Sequence, residues 1–318
     1  MDITTFLQTL LDGIAVGSLY GLIALGYTMV YGILQFINFA HSDIFMLGAW
    51  ISYTISSFAI SRLAGADGQL PEGPLLYILL PLLTILGAMA ACGLIGFCIE
   101  RGAYRPLRKA PRLNVLITAI GVSLFLQNVG QLHWLFGTQP RGFPDVLPDT
   151  TLFTLAGVQV HIIDVIVIFG TMALMLALEW LVHRTKLGMA MRAVSYDTRV
   201  ASLMGVNVDR VISFTFILGS SLAAAAGFLY AAKYHKLGQP ADATWVLLGL
   251  KAFVAAVVGG IGNIRGAMLG GLAIGLIEFF GKAYIEPAYA DVYVFSILIA
   301  VLLFKPTGIL GKRLIEKV

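Results

Sequence analysis

Apolar runs alternate with polar stretches along the whole chain, at 6–31, 42–61, 75–99, 114–136, 162–182, 211–232, 246–260, 267–281 and 290–304. The longer ones reach the ~20 residues that cross a hydrocarbon layer about 30 Å thick, and in such a layer only helices satisfy their own backbone groups. The pair 246–260 and 267–281 is shorter and broken by Gly259, Gly260, Gly262 and Gly266, so it is read as a spanning hairpin or a re-entrant one. The pattern predicts an all-α polytopic membrane protein with about eight to nine transmembrane helices, forming a single domain over 1–318.

One polar interruption, 183–210, has helical character of its own. From Gly188 to Met204 the apolar residues Met189, Ala193, Val200 and Leu203 recur at spacings that one side of a helix can collect, while Arg192, Asp197 and Arg199 fall elsewhere. Gly205 can then take the left-handed cap conformation. Asn207 can cap the next helix, with Asp209 in its first turn and Val206 and Val211 placed as a staple. The stretch reads as an amphipathic helix, a tight break and a membrane span; a plain solvated loop is the alternative.

Polar residues also gather inside apolar sequence at 33–48, where Asn38, His41, Ser42 and Asp43 stand between the first two runs. Adjacent residues cannot aim at one another as nucleophile, base and orienter must, so a hydrolytic triad is excluded. Irregular polar backbone at membrane depth is tolerated where it lines a cavity or is buried by protein. The candidate translocation path or gate is therefore Asn38, His41, Ser42 and Asp43, with Gly259, Gly260, Gly262 and Asn263 at the broken hairpin; an interfacial turn is the other reading.

Composition agrees with the pattern: 58% of residues are hydrophobic and 12% charged, against about 25% charged in soluble domains. The net charge of +4 comes from clustered loop residues, which argue topology before any nucleic-acid partner. Arg101, Arg105, Arg108, Lys109 and Arg112, then Arg184, Lys186, Arg192, Arg199 and Arg210, then Lys305, Lys312, Arg313 and Lys317, fall on one side if nine runs cross. With Arg265 that side holds 15 of 21 basic residues, so it is expected to be cytoplasmic, with the N-terminus outside and the C-terminus inside. Asp2 without a basic cluster is unlike a cleavable signal peptide, and the first run is expected to be retained.

Gly13, Gly17 and Gly21 form a ladder in the first run, and Gly266 with Gly270 and Gly271 with Gly275 repeat its spacing. Such ladders let two backbones approach closely, within one subunit or between two. Lys251 and Glu278 fall at similar depth in antiparallel runs and are expected to pair, with Asp12 able to join them. Cys92 and Cys98 share one run as small packing residues. No GxxxxGK[ST] loop occurs, so the chain has no phosphate loop for hydrolysing ATP. His41, His133, His161, His183 and His235 show no metal-ligand spacing. The stretch 137–161, with Pro140, Pro144, Asp145, Pro148 and Asp149, is a turn-rich connector or a surface for a soluble partner.

Six stretches in fixed order resemble one family: INFAHSDIFMLGA at 37–49, ERGAYRPLR at 100–108, LITAIGVSLFLQN at 116–128, SLMGVNVDRVI at 202–212, KAFVAAVVGGIGNIRGAMLGG at 251–271 and PTGILG at 306–311. They are similar to the H-type permease subunit of bacterial high-affinity branched-chain amino acid ABC transporters. The resemblance implies an inner-membrane permease for leucine, isoleucine and valine that is not itself an enzyme. It implies an M-type permease partner, two ATPase subunits carrying ATP and Mg, and a periplasmic substrate-binding protein. It also implies that Arg192, Ala193, Tyr196, Asp197, Ala201, Leu203, Met204 and Gly205 dock on the ATPase. Ser42 stands where the family more often has glycine, Arg265 where it more often has proline, and Arg192, Ala193 and Val194 where importers carry glutamate and two alanines. Urea, short amides or other amino acids as cargo, and an ion-driven secondary transporter, are the alternatives.

Overall fold

The computed structural model describes residues 3–63, 74–108, 110–148, 150–155 and 157–311. Asp2, Lys109, Asp149, Lys312, Arg313, Lys317 and the side chain of Arg112 lie outside the described residues. Its helices are α1 (Ile3–Leu34), α2 (His41–Leu63), α3 (Pro74–Ile99), α4 (Arg112–Gly130), α5 (Ile162–Arg184), α6 (Lys186–Tyr196), α7 (Thr198–Leu203), α8 (Val208–Tyr234), α9 (Ala243–Gly259), α10 (Ile264–Tyr284) and α11 (Ala290–Phe304). Every apolar run is a helix, although the fourth ends at Gly130 and its apolar residues Leu132 and Trp134 lie exposed in turns.

Eight of these helices are long and apolar enough to cross a membrane. The ninth, α9, has 17 residues and extends about 25 Å. Trp245 at its start packs on Tyr230 near the end of α8, and Gly262 just beyond its end lies against Gly32 near the end of α1. The broken pair therefore runs the length of the bundle, from the end of α8 to the end of α1, and does not turn back midway. The end of the bundle holding the α3–α4, α5–α8 and α9–α10 connections carries most of the arginines and is called the basic end below.

α1 is the axis of the bundle, buried almost without interruption from Ala15 to Val30. Its glycine ladder packs on α10, antiparallel to it. A Cβ on Gly17 would sit 3.0 Å from the Gly271 carbonyl oxygen, and one on Gly275 would overlap the Gly17 backbone. The ladder is thus used within the chain, where close backbone approach gives dispersion contacts that lipid cannot supply. At the basic end residues 305–311 fold back onto the α9–α10 turn: Ile309 N–H donates to Val258 O (2.8 Å), Leu310 N–H to Gly259 O (3.0 Å), and Asn263 Nδ2 to Leu310 O (2.8 Å).

Buried charges cluster toward the opposite end. Lys251 Nζ meets Glu278 Oε1 at 2.8 Å, as the sequence leads one to expect. The third member is not Asp12 but Asp291 at the start of α11, 2.7 Å from Lys251. Tyr20 OH (2.8 Å) and Lys282 Nζ (2.6 Å) also donate to Glu278. Asp12 faces the other side of α1, where Lys233 of α8 pairs with Asp164 and lies 3.8 Å from Asp12. Residues 137–161 are more than a connector: Thr151–Leu155 and Val158–His161 form an antiparallel hairpin, and Arg141–Gly142 pairs with Lys236–Leu237. Cys92 is buried, whereas Cys98 is exposed.

Candidate functional site

α1 and α2 are one discontinuous helix pair. The chain unwinds over Gln35–Ala40, with Gln35 at φ +54°, and α2 begins again well inside the bundle. His41, its first residue, lies against Gly26 of α1, where a Cβ would overlap the imidazole. Gly26 is eight residues before the end of α1, so the break reaches about 12 Å inward. Such breaks occur at membrane depth where protein or a cavity supplies partners.

The structure brings Asn38, His41, Ser42 and Asp43 together around this break, all nearly inaccessible. Ser42 Oγ donates to Phe39 O (3.0 Å) and fits because Gly249 of α9 leaves room for it. His41 is edge-on to Tyr27, with ring centroids 4.7 Å apart. Asp43 lies in the first turn of α2, where the helix N-terminus favours a carboxylate. Its Oδ1 accepts from Gln127 Nε2 of α4 (2.8 Å). Tyr104 OH donates to Asn38 Oδ1 (2.5 Å). Yet Asn38 Nδ2, His41 Nε2, Asp43 Oδ2 and the Thr28 hydroxyl are buried without a protein partner. Each such group costs about 1–3 kcal/mol, so this arrangement has something to gain from a second one that admits water or a polar guest.

Gly259, Gly260, Gly262 and Asn263 do not join that cluster. They form the α9–α10 turn at the basic end, with Gly260 at φ +110° and Gly262 at +90°, packed on the 305–311 strap and the end of α1. Sequence reasoning grouped them with the break because both interrupt apolar runs. It missed Gln127 and Tyr104. A glutamine inside an apolar run needs a partner, and that signal was available for Gln127. Tyr104 gave none, since the end of a span is an ordinary place for tyrosine.

The 183–210 stretch forms an elbow at the basic end. It is not one helix from Gly188 to Met204, because Asp197 is extended (φ −158°, ψ 114°) and separates α6 from α7. Its carboxylate accepts from the N–H groups of Arg199 (2.8 Å) and Val200 (3.0 Å), capping α7. Thr185 caps α6 through Gly188 N–H. Gly205 takes φ +83°, and the side chain of Asn207 accepts from Arg210 N–H (3.0 Å), as the capping pattern predicts. The elbow rests on Gly188, Met191, Val194 and Ala201, and Ser195 Oγ donates to Gly32 O of α1 (2.5 Å). Ala201 is therefore turned inward and offers no side chain for docking. Arg192, Ala193, Tyr196, Leu203, Met204 and Gly205 are exposed, Leu203 at 87% and Tyr196 at 81%.

Among the described residues no cluster of three His, Cys, Asp or Glu side chains could hold a metal ion. Among the described residues, eight helices long and apolar enough to cross a membrane with a shorter ninth beside them, a discontinuous pair holding unpartnered polar groups and an elbow presenting apolar side chains at one end fit a multi-pass membrane permease. A family model described as branched-chain amino acid transport system, permease component, matches residues 9–302, and the chain belongs to this family. It is 41% identical over 322 residues to the high-affinity branched-chain amino acid transport system permease protein BraD of Pseudomonas aeruginosa, covering 100% of this chain and 99% of that one. It is 40% identical over 316 residues to LivH of Escherichia coli K12, covering 98% of each. A shorter match, 30% over 201 residues, joins 62% of the chain to 51% of the xylose/arabinose import permease XylH of Sulfolobus acidocaldarius. No solved structure matches. By family the chain is a permease subunit of a transport system rather than an enzyme, and it works with partner components of that system.

Proposed function

We propose that this subunit carries leucine, isoleucine and valine across the bacterial inner membrane. A periplasmic binding protein delivers them, an M-type permease subunit completes the path, and two ATPase subunits, which hold the ATP and Mg, drive the cycle. The basic end faces the cytoplasm by the positive-inside bias, which puts the N-terminus outside and the C-terminus inside.

The observation that carries this reading is the exposed elbow. Met189, Tyr196, Val200, Leu203 and Met204 present apolar surface, a pattern that marks protein interaction sites. Arg192, Ala193, Asp197 and Gly205 complete the ATPase contact, with Ala201 supporting it from beneath. Because Gly205 and Asn207 lead directly into α8, a push on the elbow reaches a membrane helix. Asn38, His41, Ser42 and Asp43 form the gate, and the Gly259–Asn263 turn is a hinge at its cytoplasmic rim. The test is to purify the chain in mild detergent with the products of neighbouring genes and measure ATP-dependent uptake of labelled leucine against excess isoleucine, urea and acetamide. Competition by isoleucine alone supports the reading; competition by urea or acetamide alone replaces the cargo.

A further inference from the structure

A charged cluster at the basic end, buried at Glu100 and half-exposed at Asp209, lies between the elbow and the helix break and belongs to neither. α3 ends in a widened π-type turn, Glu100–Tyr104, followed by a tight turn at Arg105–Leu107. The Glu100 carboxylate is fully buried and accepts from Arg108 and from Ser213 Oγ of α8 (2.6 Å). Arg108 also meets Asp209 Oδ1 (2.5 Å), and Arg105 meets Asp209 Oδ2 (2.6 Å). Asp209 is the second residue of α8, directly behind the Gly205–Asn207 break that leads from the elbow. In the same widened turn Tyr104 is inaccessible, its ring 5.3 Å from Phe36 and 5.5 Å from Phe216 between centroids. Its hydroxyl reaches Asn38 in the break between α1 and α2.

An ion pair is costly to bury and often adds little net stability, and widened turns of this kind are frequent at functional sites. Tyr104 holds Asn38 by one hydrogen bond while the Asn38 amide nitrogen has no partner, so the amide can exchange one arrangement for another. We propose that Asp209, Arg108, Glu100 and Tyr104 form a positioning relay that carries displacement of the elbow to Asn38 and so sets the state of the α1–α2 break. The relay rests on the reading of the elbow as the ATPase contact.

Physical intermediacy alone does not establish coupling, so the test reads coupling itself. In the complete transporter with Cys92 and Cys98 replaced by alanine, Phe39→Cys is labelled with a membrane-permeant maleimide with and without ATP and vanadate. In the parent the nucleotide is expected to change the labelling rate roughly tenfold, within the usual range of allosteric coupling. Tyr104→Phe keeps the ring and removes only the hydroxyl. Asp209→Asn keeps the shape and removes only the charge. Each should shrink the change to below about twofold, and the double variant should be no worse than either single one, as expected of residues in one chain. ATP hydrolysis by the partner subunits should persist. An unaltered nucleotide response in Tyr104→Phe overturns the relay, as does a double variant with the summed effect of two independent ones. A purely structural role would lower the melting temperature and leave the nucleotide dependence intact, which also overturns it. Absence of a response in the parent overturns the elbow reading itself.

Discussion

The Lys251 cluster and the α1–α2 break are both buried and polar, and they differ in how completely their groups are paired. Around Lys251 every charge has a partner: Glu278 accepts from Lys251, Lys282 and Tyr20, and Lys251 also meets Asp291. Around the break Asn38, His41, Asp43 and Thr28 each retain a buried polar atom with none. The backbones match this contrast, since α1 and α10 meet through interlocked glycines while α2 begins from an unwound stretch. Completely paired groups lose by moving, whereas partly paired ones have less to lose. The pairing suits the first region as the frame of the bundle and the second as the proposed gate.

The largest effect should come from breaking the frame. Gly275→Leu drives a side chain into the Gly17 backbone, and backbone cannot yield as a side chain does, so destabilisation should exceed about 3 kcal/mol. Gel filtration of detergent extracts should show no monodisperse protein; a well-folded variant would mean that the seam is looser than its geometry. Next comes Lys251→Met, which takes one of three donors from the buried Glu278 and the partner from half-exposed Asp291; it should cost about 1.5–3 kcal/mol, read as a fall in melting temperature. Exchanging Lys251 and Glu278 should not restore it. The exchange would set a glutamate against Asp291 and a lysine against Lys282.

Smaller effects are expected at the moving parts. Gly205→Val forces a branched side chain to φ +83°, a strain of about 1–2 kcal/mol. The protein should still insert, while leucine uptake falls far more than ATP hydrolysis. Parallel loss of both would point to a docking defect instead. The smallest change should have the opposite sign. Asp43→Asn removes a half-paired buried charge, so thermal stability should rise by about 1 kcal/mol while transport falls, the usual exchange at functional sites. Loss of stability in this variant would erase the distinction between the two regions.

Much of the frame was legible in the sequence because it depends on local or periodic signals. Run length marked the long spans and left only the short pair at 246–260 and 267–281 open, four-residue spacing marked the glycine ladders, and Gly205 and Asn207 marked the entrance to α8. What stayed hidden depends on how helices face one another. Asp12 and Asp291 occupy similar depths, and only the rotation of α1 against α8 and α10 sends Asp12 to Lys233 and leaves Lys251 to Asp291. Asp197 reads as a polar-face residue, although aspartate also competes for backbone N–H groups and so ends one helix and starts another. At the break the four candidate residues were visible, but their partners Gln127 and Tyr104 come from α4 and the turn after α3, over sixty residues away.

Reconstitution with and without the ATPase subunits separates a gate worked from the cytoplasm from a self-sufficient carrier. Proteoliposomes holding this chain, its permease partner and the binding protein should take up labelled leucine only when the ATPase subunits and ATP are present. Uptake at the same rate without them would contradict the assignment of the elbow as the place where force is received.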